Sequence, residues 1–172
     1  MKFTRPFESG SVNGYIVDIG PRFLMVAVVE ECSRFNGFQC FRLSDVRNLE
    51  VPDKYAAFAE AALRRRRVQM PRKPAVIIAT IQELLISASS AFPLVTIYRE
   101  GVDPEACWIG QVVSVRGGCL SFREIAPGAR WEDKPTEYRI SEITRIDFGG
   151  DYEHSLYLVG GAPPTLQKNQ RG

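Results

Sequence analysis

The sequence predicts a mainly β protein with helices, in the α+β class, built from two five-stranded units that pack together and are joined by a helical linker. The first observation is an internal repeat, because residues 14–29 match residues 110–125 without a gap. A second pair of blocks follows, in which residues 41–50 match residues 138–147. Few positions are identical, but apolar and polar places agree nearly throughout, as expected when one supersecondary unit is used twice.

Chain length supports packing of the two units against each other. Of the 172 residues, 45% are hydrophobic and 24% are charged, which is typical of a globular protein. Each repeat spans roughly 60–80 residues, which is small for an independent core. We expect a first repeat with its trailing helix over residues 1–70, a second repeat with its leading helix over residues 71–160, and a flexible tail over residues 161–172.

Charge and hydropathy predict a cytoplasmic protein with no membrane partner. The net charge of +2 gives no overall attraction to nucleic acid or to anionic lipid. The N-terminus has no apolar core of signal-peptide length. The longest apolar run, residues 23–29, is far shorter than a membrane span.

The cysteines predict neither a metal site nor a cofactor. Cys32, Cys40, Cys107 and Cys119 form no C-x-x-C pair, and the chain has one histidine, so zinc-ligand spacing is missing. Cys40 and Cys119 lie within apolar strand patterns, where a free thiol behaves as a small hydrophobic side chain. We therefore expect reduced structural thiols, with a Cys107–Cys119 disulfide as the alternative.

The first matched block alternates with a period of two residues, which predicts a strand. Its firmest core positions are Val17 and Ile19, with Val113 and Val115 as their partners in the second copy.

A glycine-containing turn follows each of these strands, at Gly20-Pro21 and at Gly117-Gly118, and predicts a hairpin. The strand after the turn differs between the copies. Residues 23–29 are apolar on both faces, whereas residues 119–125 carry Ser and Arg on one face. We expect the first copy's strand to be covered on both faces and the second copy's strand to be partly exposed to solvent.

The second matched block changes its apolar spacing from two residues to three. A one-turn corner at residues 44–46 and at residues 141–143 explains the change, and a serine at each start can bond nearby backbone groups. Each unit is therefore predicted as three strands, a tight helical corner and a further short strand.

Two helices are predicted between the copies. Pro52-Asp53 opens the first, and its apolar stripe is Tyr55, Phe58, Ala59, Ala62 and Leu63. The second starts with a capping box, in which Thr80 and Glu83 satisfy each other's backbone N–H groups. Its core face is Ile81, Leu84, Leu85 and Ala88.

The remaining segments complete the two units. Residues 94–98 are predicted as the opening strand of copy two, and residues 75–79 as the segment that could fill the corresponding edge of copy one. Residues 151–158 are predicted as a short closing helix.

This order of elements resembles the Sm-like small barrel. Gly14-x-Ile-Val-Asp18 and Gly110-x-Val-Val-Ser114 are similar to the bent second strand of that fold. The resemblance implies two tandem five-stranded barrels that assemble edge to edge through their fourth and fifth strands. It does not extend to the usual uridine pocket, because the Asn of the first motif and the Arg-Gly of the second are missing. The whole chain also resembles uncharacterised bacterial proteins with a Phe-Gly-Gly-x-Tyr-Glu motif, here residues 148–153.

The strongest charge feature is a basic segment that we define as residues 64–73. Its cations are Arg64, Arg65, Arg66, Arg67, Arg72 and Lys73. They could neutralise phosphates and bind RNA or DNA in a salt-dependent way. Alternatively, the arginines complement the negative end of a helix dipole and keep a linker soluble, since no aromatic residue in the run offers base stacking.

Three aromatic residues, Trp108, Trp131 and Tyr138, are candidates for a partner-binding groove, with core or rim packing as the alternative. His154 beside Glu153 could act as a general base, but no nucleophile accompanies it in a recognisable motif. The sequence therefore predicts a non-enzymatic interaction or scaffold protein that binds a protein partner or itself. An RNA-binding protein using the basic segment is the alternative.

Overall fold

The computed structural model describes residues 1–7, 9–30 and 34–164. The described residues form the strands β1 (Lys2–Thr4), β2 (Ser11–Ile19), β3 (Phe23–Glu30), β4 (Arg34–Arg42), β5 (Arg47–Glu50), β6 (Val95–Tyr98), β7 (Cys107–Arg116), β8 (Cys119–Glu124), β9 (Thr136–Arg139) and β10 (Arg145–Phe148). They also form the helices α1 (Ala56–Arg65), α2 (Ile81–Ala91) and α3 (Asp151–Gly160). Of the predicted tail, residues 165–172 lie outside the described residues.

All ten strands belong to one antiparallel sheet with the order β5-β1-β2-β3-β4-β10-β6-β7-β8-β9. The prediction of two closed five-stranded barrels joined by a helical linker is therefore wrong. The physical reason is a four-residue ladder between β4 and β10, which continues the hydrogen bonding from one set of strands into the other. We call β1–β5 the first half, β6–β10 the second half and the β4–β10 ladder the seam.

The predicted corners and hairpins are confirmed. A 3₁₀ turn precedes β5 at Leu43–Asp45, and another precedes β10 at Ile140–Glu142. β2 pairs with β3 and β7 pairs with β8 across the predicted turns. In the second turn Gly117 and Gly118 have φ of +56° and +79°, a conformation that glycine adopts without steric cost.

A β-bulge in each long strand overturns part of the predicted core. The β2–β3 register shifts between Ile16 and Asp18, and the β7–β8 register shifts between Val112 and Ser114. An extra residue disrupts the ladder locally and changes the direction of nearby side chains. Among the predicted core residues, Ile19 lies beyond the first bulge and is 62% exposed, and Val113 is the extra residue of the second bulge and is 46% exposed. Val17 and Val115 do pack against the core.

Strand β3 is buried on both faces, as its composition predicts. Met25 and Ala27 lie on the face covered by α2, in one hydrophobic cluster with Leu84 and Leu85. Val26 belongs to a second cluster, on the other side of the sheet, formed by Met1, Phe3, Val12, Leu24 and Phe41.

The opening strand of the first half comes from the N-terminus, and the assignment of residues 75–79 to this edge is wrong. Strand β1 pairs with β2 on one side and with β5 on the other. Phe3 in the middle of β1 is fully buried and packs edge-on against the Phe41 ring at 5.2 Å. Residues ahead of Gly14 therefore supply the opening strand of the first half.

The two linker helices differ in how well they pack. In α2 one half of the capping box is confirmed, since the Glu83 amide donates to Thr80 Oγ1 at 3.2 Å. The Glu83 carboxylate accepts from the Thr80 hydroxyl at 2.8 Å and not from the Thr80 backbone N–H. Leu84, Leu85 and Ala88 are buried as predicted. In α1 only Leu63 is buried, and the aromatic part of the predicted stripe lies in solvent.

Candidate functional site

The seam is packed like a domain core on the face covered by α2. In the β4–β10 ladder Phe148 pairs with Phe38, and Ile146 pairs with Cys40. The rings of Phe38 and Phe148 stack with centroids 5.8 Å apart, and Phe92 lies 5.0 Å from Phe148. Such aromatic pairs each contribute about 0.5–1.5 kcal/mol beyond their buried area. The two halves are therefore joined by more than backbone hydrogen bonds.

The opposite face of the seam is polar and centres on Asp147. Arg145 donates to both carboxylate oxygens, at 2.8 and 2.5 Å, and Gln39 Nε2 donates to one of them at 3.1 Å. Burial raises the pKa of Asp147, and the neighbouring Arg145 opposes this shift. The Arg145 guanidinium also lies 4.2 Å from the Tyr98 ring centroid, a cation–π contact.

A buried ion pair joins the two halves next to this cluster. Arg5, which follows β1, donates to both carboxylate oxygens of Glu100, at 2.9 and 2.5 Å. The hydroxyl of Thr144 donates to the same carboxylate at 2.5 Å. Burial alone would raise the pKa of Glu100, but the bonds from Arg5 and Thr144 outweigh it and lower the pKa. The pair therefore acts as a clamp between the halves.

Two thiols and a phenol near the seam have raised pKa values, which favour their neutral forms. Burial raises the pKa of the Cys40 and Cys107 thiols and of the Tyr98 phenol. Cys107 and Cys119 are both free, so the disulfide alternative is wrong. In the described part of the chain, no group of three His, Cys, Asp or Glu side chains could hold a metal ion.

Glu153 and His154 begin the closing helix but point to different surroundings. Glu153 accepts a 2.5 Å hydrogen bond from Thr96, whereas His154 is exposed. Near the same helix start, Asn36 accepts from the Asp151 amide at 2.7 Å. The hydrogen bonds of Glu153 and of the Asp151 amide hold α3 across the seam.

Within the part of the chain that the structure describes, the two ends of the sheet are open edges, and apolar residues lie at one of them. Strand β5 is exposed throughout, and three of the four residues of β9 are exposed. By the repeat, Leu49 and Val51 correspond to Ile146 and Phe148 of the second half. The latter two are fully buried at the seam, whereas Leu49 and Val51 are 49% and 60% exposed.

A groove of about 590 Å³ lies beside the β5 edge, between α1 and strands β2 and β3. We call it the α1 groove; its apolar lining includes Tyr15, Ile16, Val29, Val51, Tyr55 and Phe58. Tyr55 and Phe58 are 61% and 67% exposed. Exposed aromatic residues in a concave site are typical of partner-binding surfaces.

The basic segment extends from the end of α1 along the same half. Its residues Arg64, Arg65, Arg66, Arg67 and Arg72 are exposed, and none of them has a carboxylate partner within the described ranges. Lys73 pairs with Asp18 at 2.6 Å. Residues 47–73 hold eight cationic and three acidic residues, which concentrates positive charge in a chain whose net charge is only +2.

The three candidate aromatic residues do not form one groove. Trp108 and Tyr138 pack together at 5.4 Å, with the Arg99 guanidinium 5.4 and 5.3 Å from their ring centroids. Trp131 lies elsewhere, where its indole N–H donates to the Gly161 carbonyl at 3.2 Å.

Two features of these surfaces escaped the sequence analysis. Nothing in the local pattern identifies Arg5 and Glu100 as partners, because 95 positions separate them. The exposed edge of β5 could have been found, since Leu49 and Val51 repeat the apolar positions of β10 without any predicted cover.

The chain matches no protein-family model, no curated protein and no solved structure. Within residues 1–7, 9–30 and 34–164, no helix has the length and apolar character needed to cross a membrane.

Proposed function

We propose that this chain is a non-enzymatic interaction or scaffold protein that associates with copies of itself head to tail. In this arrangement the β5 edge of one copy pairs with the β9 edge of the next, antiparallel, as β10 pairs with β4 inside the chain. A duplicated origin of the two halves and a cytoplasmic location belong to the same proposal. The resemblance to Sm-like proteins stays a prediction.

The observation that carries this proposal is the equivalence between the seam and the open edges. The first half runs β5-β1-β2-β3-β4, and the second half runs β10-β6-β7-β8-β9. Glu50 pairs with Lys2 of β1 as Asp147 pairs with Thr96 of β6, so β5 and β10 hold the same place. Repeating the seam between molecules would use the two edges that the described residues of each copy leave unpaired. Such heterologous contacts generate rings or filaments.

Light scattering coupled to size-exclusion chromatography tests the proposal. We expect the wild-type chain to form oligomers whose mass rises with concentration. A Leu49→Lys/Val51→Lys variant should shift this equilibrium to monomers, because lysines oppose edge pairing. Ile19→Lys is the matched control, since Ile19 is equally exposed but lies away from the β5 edge. A wild-type chain that stays monomeric at all concentrations would overturn the proposal.

Single-stranded RNA binding is the second candidate function. It is favoured by the exposed arginines of the basic segment, which lack carboxylate partners within the described residues. When such cations neutralise phosphates, counterions are released from the nucleic acid, and this makes binding stronger at low salt. Titration with single-stranded RNA at low salt tests this function, and affinity too weak to measure there would eliminate it.

A further inference from the structure

Helix α3 carries an apolar surface that the other described residues leave uncovered. Leu156 faces the interior, in a cluster with Leu94 and Ile125. Leu158 and Val159 near the end of α3 are instead 76% and 77% exposed, the highest values among the exposed large hydrophobic side chains of the described residues. We call Leu158 and Val159 the α3 tip.

Charge is distributed unequally along α3. Its first turn contains Asp151 and Glu153, and its last turn has no basic residue. Asp151 pairs with Arg34 of its own chain at 2.8 Å, and its side chain remains 60% exposed to a second cation. The helix is therefore acidic at its start and apolar at its end.

Helix α1 has the opposite arrangement. Phe58 and the preceding Tyr55 are exposed near its start, and Arg64 and Arg65 form its basic last turn. The first turn of α1 contains no acidic residue. The helix is therefore aromatic at its start and basic at its end, with one carboxylate, Glu60, between them in the lining of the groove.

The two helices match when they lie antiparallel. Phe58 and Arg65 are separated by seven residues, as are Asp151 and Leu158, so each pair lies on one face about 10.5 Å apart. An antiparallel arrangement brings Leu158 to Phe58 and, at the same time, Asp151 to Arg65. The apolar match and the charge match both require the antiparallel arrangement, so together they select it over the parallel one.

We propose that the α1 groove of one copy is occupied by α3 of a second copy, with the α3 tip against Tyr55 and Phe58. This inference rests on the proposed self-association and assigns its helical contact. The occupant is an apolar helix end because the groove offers aromatic walls, and its direction is fixed by the basic end of α1. This is the helix-in-groove mode of recognition.

The position of α3 is compatible with head-to-tail assembly. Gly161, directly after α3, accepts a hydrogen bond from Trp131, which lies in the connection between β8 and β9. The α3 tip is therefore near the β9 end of the sheet, whereas the α1 groove adjoins β5. Pairing β9 of one copy with β5 of the next brings the two surfaces toward each other.

Cross-linking between two different single-cysteine variants tests the contact. Phe58→Cys and Val159→Cys are each made in a background in which Cys32, Cys107 and Cys119 are replaced by serine. A short bis-maleimide should join the two variants when they are mixed, and neither variant alone should form a cross-linked dimer. Cross-linking of Phe58→Cys with itself would show an α1–α1 contact and overturn the proposal.

A second measurement does not depend on the cysteine background. Leu158→Glu/Val159→Glu should weaken self-association at least ten-fold in light scattering, because it places carboxylates against an aromatic wall. Val102→Glu is the control, since Val102 is 56% exposed and lies in the connection between β6 and β7. If the wild type associates while the Leu158→Glu/Val159→Glu variant is unaffected, the helical contact is overturned and the strand-edge proposal stands. A monomeric wild type overturns both.

Discussion

Arg5 and Glu100 lie 95 positions apart in the chain and form a two-pronged ion pair, with N···O distances of 2.9 and 2.5 Å. Their side chains are 0% and 5% exposed. The guanidinium also lies over the Phe41 ring, 4.7 Å from its centroid. A buried charge is tolerated only with its partner in place. The two halves are consequently coupled through one pair of side chains as well as through the seam.

Removing one charge of this pair should destabilise the whole chain. Glu100→Gln leaves the buried guanidinium without a counter-charge, and we expect a loss of about 3–5 kcal/mol in the free energy of unfolding. Urea denaturation followed by circular dichroism measures it. The double variant Arg5→Met/Glu100→Met should lose less than Glu100→Gln alone, since it removes both charges. If the two variants lose equal free energy, the pair contributes only packing.

The Glu100 contribution should also depend on pH with a defined sign. The pKa of Glu100 is lowered from its ordinary value of 4.5, so the folded state favours the carboxylate. Its stabilisation is complete above pH 4.5 and is lost as the pH falls through the lowered folded pKa. The difference in unfolding free energy between wild type and Glu100→Gln should therefore shrink on acidification. A difference that stays constant from pH 7 to about pH 3 would contradict this linkage. Asp147 is present in both proteins, so its contribution cancels in this difference.

A glutamate in the middle of β3 should be far more damaging than one in β8. Met25 is fully buried, whereas Ser121 at the corresponding place is partly exposed. Met25→Glu buries a carboxylate at a cost of several kcal/mol, a large part of a typical stability of about 5–15 kcal/mol. Ser121→Glu should cost about 0.5 kcal/mol. Thermal melts compare them, and equal losses would mean that the two halves pack alike at these positions.

Gly110 should not tolerate even one added methyl group. A Cβ there would collide with the backbone of Arg123 on the neighbouring strand β8. Gly110→Ala should therefore cost about 1–3 kcal/mol by overpacking. Gly128→Ala is the control, because its Cβ would meet nothing nearer than the Arg130 side chain at 3.9 Å. Urea midpoints for the two variants decide this prediction, which is wrong if they coincide.

If the basic segment binds RNA, its arginines should determine the salt dependence. Replacing residues 64–67 by serine should weaken binding and flatten the slope of log affinity against log salt by up to about 3 units. The control replaces four exposed cations elsewhere, Arg116, Arg130, Lys134 and Arg139, by serine. Filter binding across a salt series measures both slopes. Equal slopes for the two variants would show that the basic segment has no special role.

Local chemistry determined the parts of the fold that the sequence predicted. Thr80 caps α2 because its side chain reaches a backbone amide three residues on, a contact that needs no distant partner. The Gly117-Gly118 turn follows from the conformational freedom of glycine. The complete burial of Met25 follows from a strand with apolar residues on both faces.

Contacts between distant segments determined the rest. The bulges at Val17 and Val113 depend on pairing with β3 and β8, which the composition of β2 and β7 does not specify. The same alternation of apolar and polar residues fits two separate units and one continuous sheet. In both arrangements an interior strand has a neighbouring strand on each side. The ladder from Arg145 to Phe148 along β4 selected the continuous sheet. The sequence by itself determined most of the strands, the turns and the cap of α2, because alternation and capping contacts are local. Only the tertiary structure decided which edges pair and which stay open. Backbone N–H and C=O groups are the same in nearly every strand, so they do not specify the partner strand.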